Sequence, residues 1–245
     1  MFQPVQPLQP GRTPRTLSMN VADVDVDLRS CGALWIAELG ALVVSDLHLE
    51  KGSAYASRGQ MLPPYDTRAA LGRISTLIAE LKPATVISLG DSFHDRHARP
   101  RMAADDVAQV RALSAQADWI WITGNHDPAP PHDLGGEVHQ EFNLGPLVFR
   151  HEPSHAPARG EIAGHLHPCA RVVGRGRIVR ARCFVSDGVR LVMPAYGALT
   201  GGLNVLDAAF SQLFSSGFVV GVVGRDGVYG AARNRLAPDN MRRAG

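Results

Sequence analysis

The stretch Ala41-Leu-Val-Val-Ser-Asp46-Leu-His48 places two metal-ligand side chains directly after an apolar run. Residues 41–44 are apolar and half of them are β-branched, which predicts a short buried strand. On a strand that continues outward, residues two apart point to the same side. We therefore expect Asp46 and His48 to hold one cation between them.

Four more blocks follow the same plan, with polar residues immediately after a predicted strand. They are Gly90-Asp91-Ser-Phe-His94, Gly124-Asn125-His126-Asp127, His151, and Gly164-His165-Leu-His167. Helical periodicity predicts helices at 66–81 and 103–115, so the first half of the chain alternates strands with helices. This alternation indicates an α/β sheet, in which functional groups collect beyond the carboxyl ends of the strands. The blocks should therefore converge.

The predicted ligands combine carboxylate and amide oxygens with imidazole nitrogens: Asp46, His48, Asp91, Asn125, His151, His165 and His167. Such a set suits Mn²⁺, Fe or Zn²⁺ and argues against Ca²⁺, which prefers oxygen alone. Asp91 has two oxygens and can bridge two cations. A pair of cations ~3.5–4 Å apart can activate water and clamp a phosphate group. The sequence thus predicts a two-metal phosphoesterase.

Glycine precedes three of the blocks, at Gly90, Gly124 and Gly164. Without a side chain these residues would let the backbone turn sharply and approach the ions closely. The second half of the chain reads as short strands, with one helix at 208–214. A closing hairpin is predicted at 219–223 and 228–232, around the turn dipeptide Asp226-Gly227.

The chain is predicted to be one domain, residues 21–235. Residues 1–20, rich in Pro, Gln and Arg and without an apolar secretory core, are interpreted as a disordered arm. Residues 236–245 are expected to be a flexible tail, and 52–65 a loop. No apolar run approaches the ~18 residues of a membrane span. Three cysteines without CxxC spacing favour reduced thiols in a cytoplasmic protein, with Cys169 buried rather than bound to metal.

The net charge of +2 is too small to give the whole protein the strongly positive electrostatic potential that is typical of nucleic-acid binders. Arginine nevertheless clusters between 171 and 190, where Asp187 is the single acid: Arg171, Arg175, Arg177, Arg180, Arg182 and Arg190. Two interpretations stay open, a solvated strand face and a groove for a phosphate backbone. Under the second, Arg175 and Arg177 are candidate substrate contacts.

The order Asp-x-His, Gly-Asp-x-x-His, Gly-Asn-His-Asp, His, Gly-His-x-His resembles the calcineurin-like metallophosphoesterase superfamily over residues 42–167. The resemblance implies a four-layer α-β-β-α sandwich with two central mixed sheets. It also implies a division of ligands: Asp46, His48, Asp91 and His167 for one ion, and Asp91, Asn125, His151 and His165 for the other. Arg150 stands where many members have Gly, which would alter access to the second ion.

A narrower resemblance covers residues 30–225. The segments Ser45-Asp46-Leu-His48-Leu-Glu-Lys51-Gly, His151-Glu-Pro153 and Pro194-Ala-Tyr196-Gly-Ala-Leu-Thr-Gly-Gly202 are similar to the bacterial ligase-associated DNA damage response endonucleases, also called PdeM. This similarity implies manganese-dependent phosphodiester hydrolysis on DNA, single-stranded or damaged. It also implies a role in repair and association with a DNA ligase, a helicase and an exonuclease-like protein.

The expected reaction uses metal-activated water, with Asn125 and the ions stabilising the developing charge. His126 is the predicted general acid, with Asp127 orienting its ring, and His94 is a predicted substrate contact. Rival activities on the same scaffold are phosphomonoester hydrolysis, including protein phosphatase activity, and hydrolysis of a small diester such as a cyclic nucleotide. A lipid pyrophosphatase is disfavoured, because that group resembles Gly-Asn-Arg-Asp at the third block. A non-catalytic scaffold is disfavoured because all seven ligands are present.

Overall fold

The computed structural model describes residues 15–60, 62, 65–156, 158–174 and 177–239, with Arg177 described by its backbone only. Its strands are β1 Leu17–Val21, β2 Val24–Leu28, β3 Leu34–Ile36, β4 Ala41–Val44, β5 Thr85–Leu89, β6 Asp118–Ile122, β7 Glu137–His139, β8 Glu141–Leu144, β9 Leu147–Arg150, β10 Glu161–Ala163, β11 Pro168–Gly174, β12 Arg177–Ser186, β13 Leu191–Val192, β14 Leu203–Asn204, β15 Val219–Val223 and β16 Val228–Ala231. Its α-helices are α1 Lys51–Ala56, α2 Asp66–Leu81, α3 Ala98–Arg101, α4 Ala104–Ser114 and α5 Ala208–Leu213.

In the described part of the chain the strands form two mixed sheets. The first has seven strands in the order β1-β2-β3-β4-β5-β6-β7, antiparallel up to β4 and parallel from β4 onward. The second has nine strands and includes the parallel neighbours β9, β10 and β13. The predicted α/β class with two mixed sheets is confirmed.

The alternating directions of the side chains along β4 explain why helices cover one face of the first sheet while the second sheet covers its other face. Leu42 and Val44 pack with Leu71 and Ile74 of α2 and with residues of α4. Ala41 and Val43 point the other way, into a second cluster that joins the two sheets. Because side chains alternate along a strand, an apolar run of four residues supplies both faces of a doubly covered sheet.

The outer face of the second sheet is covered by α5. Phe210 of α5, and Phe214 directly after the end of the helix, pack on Cys183 and Val185 of β12. Asp207 caps this helix by accepting a hydrogen bond from the Ala209 N–H at 3.0 Å. The layers are therefore α2 and α4, the first sheet, the second sheet, and α5, in agreement with the expected four-layer sandwich.

The predicted domain ends and one predicted loop require correction. Residues 17–20 of the expected arm belong to β1, which pairs with β2, and residues 1–14 lie outside the described residues. The alternation Val24-Asp-Val-Asp-Leu28 was the signal for β2, since its apolar residues are all buried. In the expected tail, Ala237 is buried and donates its N–H to the Arg171 carbonyl, while residues 240–245 are not described.

The expected loop at 52–65 begins instead with helix α1. Glu50 precedes this helix and is buried, and its carboxylate accepts hydrogen bonds from Thr67 Oγ1 and Ser53 Oγ. These bonds tie α1 to the start of α2 and allow a turn and a half of helix that is too short to hold by propensity alone. Among the described residues, no helix has the length and apolar character needed to span a membrane.

Candidate metal centre

The five polar blocks follow the carboxyl ends of parallel strands in both sheets. Asp46, Asp91 and Asn125 come after β4, β5 and β6, which are adjacent in the first sheet. His151 and His165 come after β9 and β10, which are adjacent in the second sheet. The predicted convergence is therefore a consequence of strand direction, and it places the site where the two sheets meet.

Five of the seven predicted ligands have left-handed backbone conformations. The φ angles are 50° at Asp46, 45° at His48, 47° at Asp91, 68° at His165 and 45° at His167. Non-glycine residues rarely adopt this region, and such strain concentrates at functional sites. The expectation that Asp46 and His48 sit on a continuing strand is wrong, because β4 ends at Val44. The left-handed backbone at both residues accompanies the close approach of the two side chains instead.

The first cluster contains Asp46, His48 and His167. Their ligand atoms lie within 4.8 Å of one another, with His167 Nε2 3.0 Å from Asp46 Oδ1 and 3.4 Å from His48 Nε2. Burial lowers the pKa of His48 to about 3 although the nearby Asp46 carboxylate opposes the shift, so the His48 imidazole is neutral and free to coordinate. Burial opposes charge at His167 too, but Asp46 outweighs it and raises the His167 pKa.

The second cluster contains Asn125, His151 and His165. Asn125 Oδ1 lies 2.9 Å from His151 Nε2 and 3.0 Å from His165 Nδ1, and the two ring nitrogens are 3.2 Å apart. The carbonyl of Leu89 can only accept, so His151 Nδ1 carries the proton in its 2.8 Å hydrogen bond. His151 Nε2 faces the amide oxygen of Asn125, and one cation can bind both atoms.

Asp91 lies between the two clusters. Its Oδ1 is 3.5 Å from His151 Nε2, and its Oδ2 is 3.9 Å from His48 Nε2. Each carboxylate oxygen therefore faces a histidine of a different cluster. The donor set and this shared carboxylate fit a pair of divalent ions.

The glycines before the blocks are required by close packing at the site. A Cβ at Gly164 would lie 2.0 Å from Ser45 Oγ, and one at Gly124 would lie 2.2 Å from Asp91 Oδ1. At Gly90, where φ is +74°, a Cβ would lie 2.6 Å from the His151 ring. The backbone at these three glycines therefore packs directly against side chains of the site, and its close approach to the ions stays a prediction.

His126 and His94 lie beside the first cluster. His126 Nδ1 donates to the His94 carbonyl at 2.8 Å, the two rings stack at 5.6 Å, and His126 Nε2 is 3.9 Å from Asp91 Oδ2. The His126 side chain is 41% exposed, so its ring faces both solvent and the metal ligands. Both predicted residues are therefore at the site.

Asp127 does not orient the His126 ring, contrary to the prediction, because the His94 carbonyl holds that ring. Asp127 is buried, and its Oδ2 accepts the Phe93 N–H at 3.1 Å. Burial, with the nearby charge of Asp91, raises the pKa of Asp127 to about 8. The contact joins the turn after β6 to the turn after β5. Asp127 is thus a positioning residue behind Asp91.

The described members of the arginine cluster make intramolecular contacts. Partly buried Arg182 donates to the Ala195 carbonyl at 2.7 Å, and buried Arg190 donates to the Ser154 and Ala156 carbonyls at 2.7 Å each. Arg180 donates to the Gly202 carbonyl and lies 3.6 Å from Asp239. These arginines hold loops to the second sheet. Arg175 and the Arg177 side chain lie outside the described residues, so their DNA contacts remain a prediction.

The segment at Tyr196 supports the site and was missed as a functional feature. Tyr196 N–H donates to the Ser45 carbonyl at 2.7 Å, and Gly197 N–H donates to the Asp46 carbonyl at 3.1 Å. Arg73 of α2 packs over the Tyr196 ring at 4.4 Å and donates to its carbonyl. The family similarity of residues 194–202 indicated that this segment has a role. The sequence did not show that the segment contacts the backbone at Asp46.

A profile of calcineurin-like phosphoesterases matches residues 41–188. The chain belongs to this family. This calcineurin-like phosphoesterase is a metal-dependent hydrolase, and all the predicted ligands fall inside the matched region.

Solved structures extend the comparison. The phosphoesterase is similar to the Pseudomonas putida nuclease MPE, with 31% identity and a TM-score of 0.69 over 89% of this chain and 100% of that one. It also aligns with Yfce, a phosphoesterase from E. coli, at 17% identity and a TM-score of 0.40, over 78% of this chain and 98% of that one. A comparison with curated protein sequences gave no match.

Proposed function

We propose that this phosphoesterase is a manganese-dependent, two-metal phosphodiesterase that cleaves DNA internally and acts in DNA repair. The observation that carries the proposal is the position of Asp91, whose two oxygens face histidines of two separate clusters. A phosphoesterase with one ion would not need both clusters. The likeness to a protein described as a nuclease, at 31% identity, supports nucleic acid as the substrate.

The proposed division of the ligands is the one that the family resemblance implies. Asp46, His48, Asp91 and His167 would hold one ion, and Asp91, Asn125, His151 and His165 the other. His48 and His165 both have lowered pKa values, primarily through burial, and neutral imidazoles are the form that binds a cation. Oxygen and imidazole ligands together suit Mn²⁺, with Fe and Zn²⁺ as alternatives.

When bound, the two ions supply Lewis-acid activation of water and of the phosphate group. The chain supplies the remaining functions. His126 would donate a proton from Nε2 to the leaving oxygen, since Nδ1 is already engaged by the His94 carbonyl and the ring cannot rotate without losing that bond. His94 stacks on His126 and would contact the substrate on the same side.

The DNA assignment predicts contacts beyond the reacting phosphate. Arg175 and Arg177 are the arginines proposed to meet the DNA backbone. If they do, replacing both by Ala should weaken binding and reduce its salt dependence by about one unit of slope for each lost phosphate contact. The protein is further proposed to act in the cytoplasm with a DNA ligase, a helicase and an exonuclease-like protein, which co-purification from the native host would test.

The function is tested with four substrates in the presence of Mn²⁺: bis-aryl phosphate, mono-aryl phosphate, a cyclic nucleotide and circular single-stranded DNA. A circle has no ends, so its conversion to a linear product requires internal cleavage. We expect hydrolysis of bis-aryl phosphate and linearisation of the circle, both abolished in Asp91→Ala. Preference for the mono-aryl ester, or hydrolysis of the cyclic nucleotide without cleavage of the circle, would replace the proposed function with one of the rival activities.

A further inference from the structure

An open cavity of about 330 Å³ lies beside the second metal cluster and has no part in the proposed chemistry. Asn125 and His151 form its inner wall. The other side chains that line it, which we call the outer wall, belong to Thr123, Gln140, Glu141, Arg150 and Glu152. A group bonded to a phosphate at the metal centre could therefore enter this cavity directly.

The charges in the outer wall disfavour a second phosphate. Arg150 lies opposite Glu141 across the β8–β9 pair, and its guanidinium is bound to the Glu141 carboxylate and lies 3.8 Å from Glu161. The one arginine of the wall is thus already neutralised. Glu152 is exposed and adds a negative charge. An anionic group would meet net repulsion here, whereas a neutral polar group would not.

The polar groups of the wall suit a nucleobase. Gln140 is exposed, and among the described residues its side chain makes no hydrogen bond, so its amide can both donate and accept. Gln pairs with adenine edges and Glu accepts from exocyclic amines in protein–nucleic acid contacts. The volume lies at the lower end of the range for small-ligand pockets, roughly 300–1,000 Å³, which fits one nucleoside.

We propose that this cavity is a nucleoside subsite, which holds the sugar and base that remain bonded to the scissile phosphate. This inference rests on the proposed function, because the phosphate must be held at the metal ligands. His126, the proposed proton donor, is not among the described residues that line the cavity. The leaving group is therefore assigned to the His126 side and the retained nucleoside to the Gln140 side.

Two small substrates with the same leaving group test the subsite. Bis(p-nitrophenyl) phosphate retains an aryl group after hydrolysis, and 2′-deoxyadenosine 5′-(p-nitrophenyl) phosphate retains a nucleoside whose base carries an exocyclic amine. The quantity measured is the ratio of kcat/KM for the nucleoside substrate to kcat/KM for the aryl one. Gln140→Trp, which fills the cavity, should lower this ratio at least fivefold, mainly through KM, and Gln140→Ala should lower it by less. Gln116→Ala, the same change on exposed α4-end surface, should leave it unchanged.

Product inhibition gives a second measurement that does not depend on turnover of the nucleoside substrate. The Ki of 2′-deoxyadenosine 5′-monophosphate should rise in Gln140→Trp, while the Ki of phenyl phosphate stays near its wild-type value. An unchanged ratio and unchanged Ki values, with the aryl diester still hydrolysed, would overturn the subsite and leave the proposed function standing. If the wild-type protein hydrolyses neither diester with Mn²⁺, the proposed function itself fails.

Discussion

At the scale of single residues, His126 offers the most direct test of the mechanism. His126→Ala should lower turnover of a diester with a poor alkoxide leaving group by roughly 10²–10⁴-fold, the usual contribution of general-acid catalysis. Turnover of a p-nitrophenyl diester should fall much less, because that leaving group departs without a proton. Steady-state kinetics on both substrates and metal analysis of the purified variant provide the measurement.

The matched control for His126 is His132→Ala, since His132 is exposed in the 3₁₀ turn before β7, away from the metal ligands. This variant should behave like the wild-type protein on both substrates. Equal losses on the alkyl and aryl diesters in His126→Ala would assign His126 to substrate or metal binding instead of proton transfer.

Asp127 should act on the metal centre through Asp91 and not through His126. Asp127→Ala leaves the buried Phe93 N–H without its acceptor, which costs about 1–3 kcal/mol of folding free energy. Asp127→Asn keeps an acceptor oxygen at the same place and should lose much less. Urea unfolding of the metal-free proteins measures the difference. Equal stability of the two variants would mean that the Phe93 contact contributes nothing.

At the scale of elements, the turn after β10 depends on the absence of a side chain at Gly164. Gly164→Ala would place a Cβ 2.0 Å from Ser45 Oγ and 2.6 Å from Asp46 Oδ2, so the Asp46 and His165 turns would have to separate. Manganese affinity, measured by calorimetry, should fall about 10–100-fold, as it does when groups that position ligands are lost. Gly174→Ala is the control, because a Cβ there meets nothing within 4 Å. Wild-type affinity in Gly164→Ala would contradict the model of a crowded turn.

The elements also show what the sequence can and cannot predict. Strand β5 and helix α2 were predictable because a short, mainly apolar run and an amphipathic face each have one stable arrangement. Helix α1 was not predictable, because the long-range bond between Glu50 and Thr67 helps to define its start. Local periodicity carries no signal for a contact between residues 17 positions apart.

The same limit applies at the site. The types of the ligands and their order along the chain could be predicted, because both are properties of the sequence itself. The left-handed backbone at Asp46 and His48 was not readable, because surrounding contacts impose it against local preference. The hydrogen bond from the Gly197 N–H to the Asp46 carbonyl could not be predicted either, because Gly197 lies far from Asp46 in the sequence.

At the scale of the whole molecule, the site joins the two sheets. Asp46, Asp91 and Asn125 are held by the first sheet, whereas His151 and His165 are held by the second. Between the sheets lies an apolar cluster in which Ile87 and Leu89 meet Phe149 and Ile162. Separation of the sheets would therefore destroy the metal centre, and binding of cations should oppose that separation.

Metal binding should consequently stabilise the entire fold and not only its loops. At a free Mn²⁺ concentration 100 times Kd, one bound ion contributes about 2.7 kcal/mol to the folded state. In a protein of this size that corresponds to a rise in Tm of roughly 5–10 °C, at about 2–4 °C per kcal/mol. Scanning calorimetry with and without Mn²⁺ should show one transition that moves upward. Asp91→Ala should lose most of the shift and Gln116→Ala none of it, since Asp91 faces both clusters and Gln116 is on exposed surface. A split transition, with one half insensitive to Mn²⁺, would show that the ligands of the two sheets do not share their ions.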